Sequence, residues 1–96
     1  AFHGYLPVKP NERIKALRDL EHAVAGSDQT QIFIETPYRN LAMLESIVKT
    51  CHPNLMLCIA ADLTLETEWI RSLPIRDWKN QKPDLHKRPA VFLLGN

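Results

Sequence analysis

Glycine is scarce in this chain: three residues in 96, at positions 4, 26 and 95. Placed so far apart, they cannot form a Gly-rich loop that cradles phosphate. Cysteine is scarcer still. Cys51 and Cys58 have no spacing that suggests a disulfide framework or a metal site. Cys58 lies in an apolar run and is expected to behave as a small buried hydrophobe, which fits a reduced, cytoplasmic setting. The four histidines, His3, His22, His52 and His86, are scattered, and no pair has ligand spacing, so no metal is expected. No apolar run approaches the length of a bilayer span, and no signal-peptide pattern is visible, so no membrane partner is expected. Neither sign of charge dominates: 12 Lys and Arg against 11 Asp and Glu leave a formal +1, and no global field points to nucleic acid.

What is present suffices for one modest domain, with 45% hydrophobic and 24% charged residues. The chain opens on Ala1 rather than Met and is in apolar residues by Phe2, the look of a piece cut from something longer. "AFHGYLP" (1–7) reads as a first strand, weakened by Gly4 and closed by Pro7. From Asn11, a candidate N-cap, the spacing turns helical. Ile14, Leu17, Leu20 and Val24 make one apolar stripe, and Gly26 is a candidate stop. "QIFIE" (31–35) reads as a strand buried on both faces. Thr36 can cap a helix and Pro37 suits its first position, so a second helix follows at once. Its stripe is Leu41, Leu44, Ile47, Val48 and Cys51, and His52-Pro53 ends it. "LMLCIAA" (55–61) is a third strand, "TEWIRSL" (67–73) a short edge strand, Pro74 to Trp78 a weak helix and "AVFLLG" (90–95) the last strand. The alternation predicts an α/β domain, αβα-layered, with a mixed sheet of roughly five strands.

In open α/β sheets, ligands sit beyond the carboxyl ends of the strands. Glu35-Thr36 and Ala61-Asp62-Leu63-Thr64 occupy such places. Glu35 has two readings: a capping acid or ion-pair partner of Arg39, or a carboxylate that accepts hydrogen bonds from a ligand's hydroxyls or amine. Asp62 with Glu66 or Glu68 makes a weak acid–base pair, since acids in a post-strand loop are usually solvated. Trp69 and Trp78 read as core or interface anchors. Lys9, Arg13, Lys15 and Arg18 surround the first helix start, and Lys79, Lys82, Lys87 and Arg88 crowd a late loop. Each group is either a solvated surface or a contact for a polyanion such as RNA.

Four motifs in order give the chain a resemblance: "GYLPVKPNER"; the strand followed by Glu35-x-Pro37-x-Arg39; "DLTLETE"; and "RPAVFLLGN". Together they resemble the C-terminal domain of the tetrapyrrole (corrin/porphyrin) methylase family of S-adenosylmethionine-dependent methyltransferases, most of all its branch acting on ribosomal RNA. In that branch a basic residue precedes the acid-Leu-Thr and a Lys follows it, whereas Ala61 and Leu65 stand here. The resemblance implies a two-domain enzyme with the methyl donor, S-adenosyl-L-methionine, in the cleft between domains. It implies donor contacts at Glu35, Thr36, Leu63, Thr64, Pro89 and Ala90, and substrate contacts at Lys9, Arg13 and Arg39. The catalytic residues are not among these; by the resemblance they fall in the N-terminal domain, together with its Gly-rich donor loops. The implied partners are that N-terminal domain and rRNA or the small ribosomal subunit. The isolated piece is expected to fold without turnover. Two other readings stand beside it: a small nucleic-acid-binding module, and an interaction domain whose apolar edge and tryptophans serve homodimerisation.

Overall fold

A computed structural model describes residues 1–96. The first strand, β1 (Phe2–Tyr5), runs parallel to β2 (Gln31–Ile34), and the long helix α1 (Pro10–Ser27) makes the crossover that a parallel pair requires. A 3-10 turn over Pro37–Arg39 leads into α2 (Asn40–Thr50), then β3 (Met56–Ala61), β4 (Trp69–Pro74), a single helical turn α3 (Ile75–Trp78) and β5 (Ala90–Gly95). The sheet order is β1-β2-β5-β3-β4. β5 lies antiparallel to both β2 and β3, so β1, β2 and β3 all run the same way. β4 sits at the edge, antiparallel to β3. The α/β class and the mixed five-stranded sheet are therefore as the sequence predicts.

The layering differs. Phe33, Leu57, Ile59, Ala61, Ala90, Phe92 and Leu94 share one face by strand alternation, and they join Leu17, Leu20, Val24, Leu44, Ile47, Ile75 and Trp78 in a single core. Phe33 and Phe92, opposite each other in the β2–β5 register, stack at 5.5 Å with an interplanar angle of 7°. The opposite face, with Ile32, Ile34, Met56, Cys58, Val91 and Leu93, is only half covered. No helix of this chain packs there. So β2 is not buried on both faces, and the second helical layer of an αβα sandwich is not formed by these residues. Cys58 lies on this open face, half-exposed, while Cys51 is the buried thiol. Burial pushes the Cys51 thiol up to about 12 and Cys58 up as well.

Helix boundaries also move. Lys9, not Asn11, is the N-cap of α1, because Pro10 takes the first helical position. Gly26 is passed over, and α1 stops at Asp28, whose left-handed φ of 54° lets its N–H reach the Val24 carbonyl. Ile14 is exposed, and Arg13 is buried in the stripe instead. Thr36 precedes the 3-10 turn without capping it through its side chain. That turn delays α2 by three residues and rotates its buried stripe to Asn40, Met43, Leu44, Ile47 and Cys51. Leu41 is left exposed and Val48 half-buried. Trp78 is a core anchor as predicted: it is fully buried, donates Nε1–H to the Leu57 carbonyl at 2.9 Å, and meets Trp69 edge-on at 6.3 Å.

Candidate functional site

Because β1, β2 and β3 run in one direction, their carboxyl ends meet at one end of the sheet, beside the start of the antiparallel β5. A crevice of about 450 Å³ opens there. Its walls include Tyr5 from β1, Ile34, Glu35 and Pro37 after β2, Ala60, Asp62, Leu63 and Leu65 at the end of β3, and Pro89, Ala90 and Val91 leading into β5. The wall is mainly apolar. Its two acids are already engaged.

Glu35 is 5% exposed. One carboxylate oxygen, Oε2, accepts from the Arg13 guanidinium at 3.3 Å. The other, Oε1, accepts the Thr36 backbone N–H at 2.7 Å and lies 3.9 Å from Arg39. Arg13 also donates to the Pro7 carbonyl and the Ser46 hydroxyl. The bond network therefore ties the ends of β1 and β2 to the starts of α1 and α2, and a buried carboxylate is stable there because its oxygens are partnered. Of the two readings of Glu35, the ion pair with Arg39 is present, and a second, stronger partner, Arg13, was not legible from spacing.

Asp62 closes the other side. Its Oδ2 accepts from Thr67 Oγ1 at 2.8 Å and from Arg88 Nε at 2.9 Å. Arg88 further donates to the carbonyls of Asp84 and Thr67, so the late loop is latched onto the loop after β3. Asp62 does not pair with Glu66 or Glu68; Glu68 instead accepts the Thr64 N–H. Both Asp62 (φ 52°) and Thr64 (φ 69°) sit in the left-handed region. That conformation is costly for a β-branched residue such as Thr64 and clusters at ligand sites. The hydrogen bonds from Thr67 and then Arg88 hold the Asp62 carboxyl below the usual carboxylate range. A depressed folded-state value means that Asp62 stabilises the fold above its unfolded value, near pH 4, and that this contribution is lost as pH falls through the folded value. Thermal midpoints recorded from neutral pH downwards are expected to separate the unsubstituted protein from Asp62→Asn at neutral pH and to converge in acid. A constant gap at all pH values would contradict the latch.

The predicted positions thus fall into three groups. Glu35, Leu63, Pro89 and Ala90 converge on the crevice. Thr36 and Thr64 flank it without lining it, and neither hydroxyl is engaged in a hydrogen bond within the chain. Of the basic residues, Lys9 is exposed and Arg39 about half exposed, but Arg13 is 7% exposed and its donors face inward. Arg13 therefore braces the crevice wall instead of presenting charge to a substrate. The residues that sequence reasoning passed over are Tyr5, Ile34, Ala60 and Val91, while Leu65, which stands where the resembled branch has a Lys, lines the crevice as well. They lie on the open face or its rim, and strand alternation around Glu35 is the signal that could have found them. The backbone N–H and C=O of Leu63 make no hydrogen bond within the chain, which leaves one donor and one acceptor at the crevice edge. No group of three or more His, Cys, Asp or Glu side chains is placed to hold a metal ion, and no helix is long and apolar enough to cross a membrane.

No protein-family model matches the chain. Among curated proteins, it is 29% identical over 96 residues to ribosomal RNA small subunit methyltransferase I of Pasteurella multocida, covering 97% of this chain and 33% of that protein. It is 28% identical to the protein of the same name from Escherichia coli O157:H7, with 97% of this chain and 32% of that protein covered. The chain therefore spans about a third of the length of the relatives it matches. Among solved structures, it superposes on cobalt precorrin-4 methyltransferase CbiF with a TM-score of 0.61 at 12% identity, covering 99% of this chain and 40% of that one. The uroporphyrin-III C-methyltransferase of Thermus thermophilus, solved with S-adenosyl homocysteine, gives 0.57 at 13% identity, with 100% and 42% covered. These two structural matches speak to fold. In its motifs, its sequence relatives and its fold, the chain resembles the C-terminal domain of the tetrapyrrole methylases, with small-subunit rRNA methyltransferase I as the sequence relative found.

Proposed function

We propose that this chain is the C-terminal, cleft-forming part of an S-adenosylmethionine-dependent methyltransferase that acts on ribosomal RNA at a ribose 2′-hydroxyl. The observation that carries the reading is the convergence of Glu35, Leu63, Pro89 and Ala90 on one crevice at the carboxyl ends of three strands that run the same way. The residues present suit the donor. The apolar floor of Ile34, Ala60 and Val91 can cover an adenine or a thioether, and the free Leu63 amide and carbonyl can receive polar groups. The engaged acids Glu35 and Asp62 act as supports, holding the backbone that the donor would touch. When bound, adenosylmethionine supplies an electrophilic methyl. The task of this chain is to orient the donor and exclude water, since transfer requires donor and acceptor in line and close.

An N-terminal domain is the first partner in this reading. It supplies the opposite wall, and a piece with only one wall is expected to show no turnover and little donor affinity. A cytoplasmic location and the small ribosomal subunit as acceptor go with it. The fold neighbours support a second reading, in which the acceptor is a tetrapyrrole or another small molecule. Pocket shape on the missing side decides between the two.

Ala60 faces the crevice from the open side of β3, so Ala60→Phe fills the space where the donor would lie. Calorimetric titration of the full-length protein with S-adenosyl homocysteine is expected to show binding, and Ala60→Phe to weaken it at least about tenfold with a retained thermal midpoint. Undiminished affinity in that variant would remove the crevice from the donor site. Methyl incorporation into small-subunit rRNA, against incorporation into a tetrapyrrole, separates the acceptors.

A further inference from the structure

Outside the crevice, one cluster is used by neither the core nor the donor wall. The 3-10 turn after β2 carries Tyr38 outward, with 70% of the residue exposed. Across from it, in the late loop, His86 meets Tyr38 nearly perpendicular (71°), ring centroids 5.8 Å apart. The loop is held there by the backbone. The Lys87 N–H donates to the Pro37 carbonyl at 3.1 Å, and the Asn40 side-chain amide donates to the carbonyls of Leu85 (3.0 Å) and Arg88 (2.6 Å). Asn40 is buried, so this clamp is an internal joint of the fold. Lys87 takes a left-handed φ of 63°, and both it and His86 stay exposed. Arg39 follows Tyr38 with its side chain about half exposed, and the acid it approaches, Glu35, is already paired with Arg13. Pro37, immediately before Tyr38, lines the crevice. The result is an exposed aromatic ring in the 3-10 turn, in T-shaped contact with a second ring, with Arg39 next to it in sequence and the exposed Lys87 joined through its backbone to Pro37, at the lip of the candidate donor cleft.

We propose that Tyr38, with His86 in contact beside it, is a stacking platform for an unpaired nucleobase of a single-stranded RNA segment, and that Arg39 and Lys87 hold the phosphates on either side. The chemistry is that of sequence-tolerant single-strand recognition. Any base has a π-face to lay on the ring, and cations beside the ring track the backbone. A splayed base held at the lip would place its neighbouring ribose over the crevice. The RNA contact is thus provided by the 3-10 turn and the late loop, and does not depend on the Ala61 and Leu65 positions, where no basic residue stands. This inference rests on the RNA reading given above and adds to it the element that holds the strand.

The test is equilibrium binding of a short single-stranded oligoribonucleotide carrying 2-aminopurine to the full-length protein, at several salt concentrations. Tyr38→Ala is expected to weaken binding by on the order of tenfold and to abolish the quenching of 2-aminopurine, whereas Tyr38→Phe retains both. The salt slope is expected to be unchanged in Tyr38→Ala and to fall by about one in Lys87→Ala, because the ring touches no phosphate and the lysine does. Binding of S-adenosyl homocysteine should be the same in all three variants. If the unsubstituted protein binds the RNA and Tyr38→Ala binds it equally well, the platform is overturned while the RNA reading stands. If the unsubstituted protein does not bind the RNA, the RNA reading fails and the platform with it.

Discussion

Replacing Glu35 by Ala is expected to destabilise the domain by about 3–5 kcal/mol, the cost of leaving a buried charge without its partner. Arg13 would keep the Pro7 carbonyl and the Ser46 hydroxyl, but no anion would remain beside its guanidinium. The Thr36 N–H would lose its acceptor as well. For a domain of this size, such a loss lowers the thermal midpoint by about 20 °C. The double variant Arg13→Met with Glu35→Leu should recover most of the stability, since an apolar pair of similar volume needs no desolvation. A small effect of Glu35→Ala, or a double variant as unstable as the single one, would show that the ion pair does not hold the crevice wall. The distinction matters for function. A loss of donor binding in Glu35→Ala alone cannot separate direct contact from collapse of the wall, whereas retained binding in the stable double variant would assign Glu35 a supporting role.

Trp78→Ala is expected to cost about as much, about 3–5 kcal/mol, by a different mechanism. The side chain is fully buried among the residues under β3 and β4, and its removal leaves a cavity that the short turn α3 cannot close. The Leu57 carbonyl also loses its indole donor. Trp78→Phe keeps most of the volume and isolates the hydrogen bond, so it should cost less, about 1–3 kcal/mol. Because Trp69 packs edge-on against Trp78 and stands at the end of the loop that follows Asp62, looseness here should extend to the crevice. Urea unfolding followed by tryptophan fluorescence would measure both variants. A Trp78→Phe variant as unstable as Trp78→Ala would place the whole effect in the indole hydrogen bond and leave none to packing.

Strand positions were the most legible feature. β3 and β5 are continuous apolar runs bounded by turn residues, and these two strands begin and end within about a residue of the predicted runs, whereas β1 and β4 differ by up to two residues. Helix faces were less legible. A three-residue 3-10 turn is enough to rotate α2, so the apolar spacing points Leu41 inward whereas the fold buries Asn40. Arg13 stands in sequence among the exposed cations Lys9, Lys15 and Arg18. Nothing local marks it as the one whose partner lies 22 residues away. Tyr38 and His86 were likewise ordinary residues until the fold set them 5.8 Å apart.

By itself, then, the sequence determined the order of elements, the α/β class and the strand ends at which a ligand would be sought, because apolar periodicity and turn chemistry act over a few residues. Tertiary structure decided three further matters: which face of the sheet stays open, how Glu35 and Asp62 are spent, and which side chains meet at the lip of the crevice. These depend on β5 inserting antiparallel between β2 and β3 and on cations reaching acids distant along the chain. The attraction within such pairs is stronger where water is excluded, and local sequence does not specify that burial.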